Sequence, residues 1–136
     1  MSTLSLANIE SKAANTPPVI KDSNGTEIGQ FARAWVNFNG RNTPTIRDSF
    51  NVSSVTDDAA GHYTVTFTNA MANANYVIAG SASELGSTGN NDAFFGAGRD
   101  TNYSDLHTTT FCTVSVCSSS GSQTDRDIIM AVIFGG

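Results

Sequence analysis

Charge is scarce in this chain of 136 residues: seven Lys and Arg, twelve Asp and Glu, 14% in all, for a net −5. Ordinary globular domains carry about 25%. The cations Arg33, Arg41, Arg47, Arg99 and Arg126 are scattered, so no basic stretch is present to offset phosphate charge, which argues against a nucleic-acid binder. There are two cysteines, Cys112 and Cys117. On one regular strand they fall on opposite faces about 16 Å apart, beyond disulfide reach, so two reduced thiols are expected. No run approaches the roughly 18 apolar residues of a membrane span. Met1 to Ala14 lacks the basic and apolar blocks of a signal peptide, so synthesis in the cytoplasm is expected. No long stretch carries a helical period, and Pro17-Pro18 forces an extended path near the start.

What is present is Asn, Ser, Thr and Gly in quantity, with short apolar alternations between them. Tyr63, Val65 and Phe67 alternate with His62, Thr64, Thr66 and Thr68, the pattern of a half-buried strand. Ala32, Ala34, Val36 and Phe38 alternate in the same way with Arg33, Trp35 and Asn37. Ile46, Phe50 and Val52 read as a continuing strand, and Thr56 to Gly61 as a polar hairpin loop before His62. Further strands are expected over Asn75–Ala82, Ala93–Ala97, Thr108–Cys117 and Arg126–Phe134. Turn signals every 8–15 residues complete the signature of an all-β fold: an antiparallel β-sandwich or jelly-roll-like domain over residues 32–136, preceded by an extended N-terminal arm, residues 1–31. Within the arm, Ser23-Asn24-Gly25-Thr26 reads as a turn.

Two segments resemble a recurrent module of bacteriophage tail fibres and related virion appendages. The first runs from Thr16-Pro17-Pro18-Val19-Ile20-Lys21-Asp22-Ser23-Asn24-Gly25 through Arg33-Ala34-Trp35-Val36-Asn37-Phe38-Asn39-Gly40. The second comprises Ile46-Arg47-Asp48-Ser49-Phe50-Asn51-Val52 and Gly61-His62-Tyr63-Thr64-Val65-Thr66-Phe67. The likeness spans roughly Thr16 to Ala82. It implies a β-rich virion surface protein, a homo-oligomer and most readily a trimer, with no cofactor. A heptad-repeat shaft and a large docking domain are not found in the sequence. Two roles follow. One is attachment to a host surface glycan or protein through exposed loops. The other is capsid decoration, as a cement or head-fibre protein held to other virion proteins by the arm.

Candidate functional residues divide into three groups. Two polar loops, Glu84–Asp92 and Gly98–Asp105, exceed the usual hairpin length. Glu84, Asn90, Asn91, Asp92, Arg99, Asn102 and Tyr103 supply the donors, acceptors and aromatic that suit receptor binding. The last strand is apolar on both faces: Ile128, Met130, Val132 and Phe134 on one, Ile129, Ala131 and Ile133 on the other. A sheet with one wet face should alternate. Such a strand is covered either by an extra segment or by another subunit, and Ile129, Ala131 and Ile133 are assigned to a subunit interface. Chemistry has weaker footing. Asp57-Asp58 and Asp125-x-Asp127 offer oxygen ligands but no calcium-loop spacing, and neither His62 nor His107 accompanies a nucleophile elbow. No metal site and no enzymatic activity are expected, and Trp35 reads as a core or interface residue before a sugar-stacking one.

Overall fold

A computed structural model describes residues 8–10, 18–85, 93–97 and 106–136. The chain divides into two compact units, Met1–Phe31 and Ala32–Gly136. In the first, β1 (Ile20–Lys21) and β2 (Glu27–Gly29) pair antiparallel. Asp22 makes the turn between them: its Oδ1 accepts the amides of Asn24 and Thr26, each at 2.9 Å. Gly25 supplies the left-handed backbone, with φ +83°.

The second unit is an antiparallel sandwich of two four-stranded sheets. Its strands are β3 (Ala32–Asn39), β4 (Thr45–Phe50), β5 (Val52–Ala59), β6 (His62–Phe67), β7 (Val77–Ser83), β8 (Ala93–Ala97), β9 (Phe111–Ser118) and β10 (Ile128–Phe134). One sheet has the order β4-β3-β10-β7 and the other β5-β6-β9-β8. Period-2 alternation turns Ala34, Val36, Phe38, Ile129, Ala131 and Ile133 of the first sheet inward, against Tyr63, Val65, Phe67, Cys112, Val114 and Val116 of the second. Phe38 and Tyr63 meet edge to face, with centroids 5.2 Å apart. Phe67 and Tyr76 do the same at 5.8 Å. Where β7 meets β8 the sheets come closest. A Cβ at Gly80 would lie 2.6 Å from the ring of Phe95, so only glycine fits there. Among the described residues no helix is long and apolar enough to cross a membrane.

Three sequence expectations change. Ile46, Phe50 and Val52 do not share a strand, because the chain breaks at Asn51 and passes from one sheet to the other. Asn51 adopts φ +56°, a conformation its short amide tolerates. The amide then pins the corner, donating to the Arg33 and Asn69 carbonyls, both at 3.1 Å, and accepting the Asn69 amide at 2.7 Å. The polar stretch after Val55 is mostly strand: β5 runs to Ala59, pairs with His62, and leaves Ala60-Gly61 as a two-residue turn. The third change concerns β10. Ile129, Ala131 and Ile133 are 0%, 4% and 0% exposed inside their own sandwich. They are core, not subunit interface, because β10 is a central strand whose inward face lies against β6 and β9. The face turned outward is the other one, with Met130 43% and Phe134 38% exposed.

The corner generates a stability expectation. Asn51→Ala keeps the positive φ, which costs an alanine about 1 kcal/mol, and loses the Asn51 side-chain bonds, each worth about 1 kcal/mol net. Denaturant unfolding should show a loss of about 2–4 kcal/mol. A loss under about 0.5 kcal/mol, the range of a neutral surface change, would mean that the corner forms without this pin.

Candidate functional site

Residues 86–92 follow β7 at the end of the sandwich where several of the scarce charges gather, whereas residues 98–105 follow the other end of β8. Gly40 and Arg41 follow β3, Glu84 and Leu85 follow β7, and Asp125, Arg126 and Asp127 precede β10. Backbone pairing brings them together, since the Gly40 amide donates to the Arg126 carbonyl at 2.9 Å. Glu84 is held on both oxygens. Arg41 Nη2 reaches Oε1, and Arg126 Nη1 donates to Oε2 at 2.8 Å. Arg41 Nε also meets Asp127 Oδ1 at 3.1 Å, while Asp127 Oδ2 accepts the Leu85 amide at 3.1 Å. Arg47 caps the group by donating to the Asp127 carbonyl.

The electrostatics follow from these contacts. The Asp127 carboxyl is held below the usual aspartate range, first by the Leu85 amide and then by Arg41. Arg41 is held more firmly protonated, chiefly by Asp127. Arg126 is the deep member, 8% exposed, and its Nε has no partner among the described residues. Its charge depends on Glu84 for compensation. The arrangement is a brace. It fixes Glu84 and Leu85, the stem from which residues 86–92 continue. Glu84, expected to face a receptor, therefore turns its carboxylate to Arg41 and Arg126. Asn90, Asn91, Asp92, Arg99, Asn102 and Tyr103 lie outside the described residues.

Beneath the brace, Asp125 Oδ1 accepts the Gly61 amide at 2.7 Å and the Tyr63 hydroxyl at 2.9 Å. The Tyr63 hydroxyl also approaches the Gly40 carbonyl at 3.0 Å, so one buried proton is shared between two acceptors. Burial, then Asp125, raises the Tyr63 phenol well above its ordinary value. Burial, then Asp125 and Asp58, raises the Asp57 carboxyl. A Cβ at Gly61 would sit 2.3 Å from the Val116 carbonyl and 2.6 Å from the Thr124 amide, so glycine is required. The acidic pairs weighed as cation ligands are thus dispersed: Asp125 turns to Tyr63, Asp127 to Arg41, and Asp58 accepts from Thr64 Oγ1 at 2.7 Å. Among the described residues no group of three or more His, Cys, Asp or Glu side chains is placed to hold a metal ion.

The remaining candidates lie elsewhere. His62 pairs with Ser115 on the outer side of its sheet. His107 packs on Tyr76, with ring centroids 5.2 Å apart, and its Nε2 is buried without a partner among the described residues. Burial lowers the His107 pKa. Cys112 and Cys117 are both free, and burial pushes the Cys112 thiol up to about 12, an inert core thiol. Trp35 stands half-buried on the outer face of its sheet, level with Phe50 and Val132.

No family model matches the chain, and no curated protein sequence matches it. Among solved structures the fold is similar to part of the phiAB6 tailspike, crystallised in complex with three-repeated oligosaccharides of Acinetobacter baumannii surface polysaccharide. The TM-score is 0.53 at 14% identity. The match covers 98% of this chain and 31% of the tailspike chain, so the chain spans about a third of that protein's length. At this identity the likeness is one of fold.

Two outcomes are expected from the site. Glu84→Gln leaves Arg126 buried without its carboxylate and should cost about 2–3 kcal/mol in denaturant unfolding. A change below about 0.5 kcal/mol would make the brace a surface ion pair of no consequence. The second outcome concerns pH. His107 has a lowered pKa in the fold, so the unfolded chain takes up the proton first. The stability it allows is fully present above about pH 6.5 and is lost as pH falls through the folded value. The melting temperature should fall from pH 7.5 to 5.5 in wild type, and His107→Gln should flatten that slope. An unchanged slope in the variant would assign the effect elsewhere.

Proposed function

We propose that this chain is a bacteriophage virion protein of the tail-appendage kind, attaching the particle to a bacterial surface glycan without cleaving it. The observation that carries the reading is the fold likeness over 98% of the chain to part of a tailspike crystallised with bacterial surface oligosaccharides. The sequence resemblance of Thr16 to Ala82 to virion appendages supports it independently. So does the end of the sandwich, where Arg41, Glu84, Arg126 and Asp127 brace the stem of a polar loop. Rigid support below a variable polar segment is how a binding loop is presented at low entropic cost.

In this reading residues 86–92 and 98–105 meet the glycan, and residues 1–31 hold the domain to other virion proteins. Several copies, three in the simplest assembly, convert weak single contacts into firm attachment through effective concentration. The inventory at Asn90, Asn91, Asp92, Arg99, Asn102 and Tyr103 is polar with one ring, which suits sugar hydroxyls.

The test is competition. Purified protein, preincubated with host cells, should reduce adsorption of the phage that encodes it. A variant with Gly86–Asp92 and Arg99–Tyr103 replaced by short glycine-serine turns, shown to be folded by circular dichroism, should not compete. Reducing-end analysis of host polysaccharide should show no cleavage. Folded wild-type protein that leaves adsorption unchanged would remove the attachment role, and released reducing ends would replace it with an enzymatic one.

A further inference from the structure

Asparagine followed by glycine is a chemically exposed pair, because glycine has no side chain to shield its amide nitrogen from the preceding side-chain amide. The chain holds two such pairs, Asn24-Gly25 and Asn39-Gly40, and the fold treats them oppositely. Gly40 is buried just past the end of β3, where its amide donates to the Arg126 carbonyl at 2.9 Å. Asn39 Oδ1 accepts the Arg41 amide at 3.1 Å, and a Cβ on Gly40 would lie 2.6 Å from Ile129 Cδ1. Asn24 and Gly25 are both exposed, in the turn between β1 and β2. The Gly25 amide makes a 3.1 Å turn bond to the Asp22 carbonyl. Among the described residues, nothing beyond its chain neighbours stands within 4 Å of the position a Gly25 Cβ would take.

We propose that Asn24 is a site of self-modification, its side-chain amide being converted without an enzyme to aspartate and isoaspartate. The Gly25 nitrogen gives up its proton to solvent base and attacks Asn24 Cγ. The new C–N bond closes a cyclic imide as the Cγ–Nδ2 bond breaks, and ammonia leaves. Water then opens the ring. Attack at Cγ restores the backbone and leaves aspartate. Attack at the main-chain carbonyl of residue 24 routes the backbone through Cβ and Cγ and leaves isoaspartate. One water enters for each ammonia released, and nothing is oxidised or reduced. Either product adds one negative charge to the net −5 at neutral pH. Isoaspartate also lengthens the backbone by a methylene, inside a turn that Asp22 Oδ1 holds through the Asn24 and Thr26 amides at 2.9 Å. Strands β1 and β2 are two and three residues long, and a two-stranded hairpin is marginal in water, so the isoaspartate form opens it. The sandwich is spared, because the same reaction at Asn39 must wait for the Gly40–Arg126 pairing to open. The inference is independent of the attachment role and of which glycan, if any, is bound.

The test is a peptide map of protein aged in mildly alkaline water enriched in heavy oxygen, with trypsin digestion afterwards in ordinary water. Cleavage after Lys21, Arg33 and Arg41 gives two informative peptides, Asp22–Arg33 and Ala34–Arg41. In folded protein the first should exchange its Asn24 amide nitrogen for one heavy oxygen and split into two chromatographic products. The second should convert at least about tenfold more slowly, since its reaction waits on local opening. In denaturant the two should convert at comparable rates. Asn24→Gln should keep the wild-type circular dichroism and lose the acidic species that isoelectric focusing detects as folded wild type ages. Equal rates in the folded protein, or Asn39 converting first, would overturn the inference. So would an Asn24 that stays intact in folded protein while the denatured chain converts. An Asn39 that resists even in denaturant would credit its protection to sequence and would also overturn it. Adsorption is not read here, so failure leaves the attachment role to stand or fall on competition.

Discussion

The ring of Tyr63 lies edge-on to Phe38 across the two sheets, and its hydroxyl reaches out of the core to the Gly40 carbonyl and Asp125. That one side chain ties three parts of the fold together. Its ring belongs to the apolar contact that makes two sheets a domain. Its oxygen holds the end of β3 and the approach to β10 at fixed distance, and the same Asp125 closes the β5–β6 turn through the Gly61 amide. A buried phenol without those acceptors would cost about 1–3 kcal/mol. The polar anchoring is thus a condition for placing tyrosine at the centre at all.

The brace is built on top of this anchor. Once Gly40 and Arg126 are paired, Arg41 and Asp127 are neighbours, and Glu84 enters from β7 to meet two guanidinium groups. In a chain with 14% charged residues, concentrating six of them at one end, Arg41, Arg47, Glu84, Asp125, Arg126 and Asp127, is a substantial part of the electrostatic inventory. The rest of the surface can remain Ser, Thr and Asn, whose contacts salt does not screen. A particle that meets variable ionic strength would keep such a surface unchanged while its loop stem stays fixed by short, partly buried pairs.

The strands were readable because burial imposes period 2. Tyr63-Val65-Phe67 and Ala34-Val36-Phe38 point inward as their alternation implies, and the all-β sandwich follows from several such runs. The period says nothing where both phases are apolar. In Ile128–Phe134 either set satisfies the rule, and only the central place of β10 between β3 and β7 decides that Ile129, Ala131 and Ile133 are core. Asn51 was hidden for a related reason: Phe50 and Val52 keep the spacing of one strand although the chain turns between them. A hint was present, since asparagine is the residue that most readily takes positive φ after glycine. The brace had no local signal, because Arg41 and Glu84 are 43 residues apart and Glu84 and Arg126 42. The one available clue was scarcity: few charges, several of them at strand ends.

These elements together describe a sandwich with Phe50, Trp35 and Val132 in a row on one outer face, threonines and serines on the other, and one braced end at the stem from which residues 86–92 continue. The claim that this is an attachment device is tested most directly by finding where the protein sits. Antibody fragments raised against residues 32–136 can be bound to intact phage particles and imaged by electron microscopy. The account expects label clustered at the tail, in positions that approach the cell first. Label spread over the capsid, with the tail bare, would contradict it and make the protein a decoration of the head.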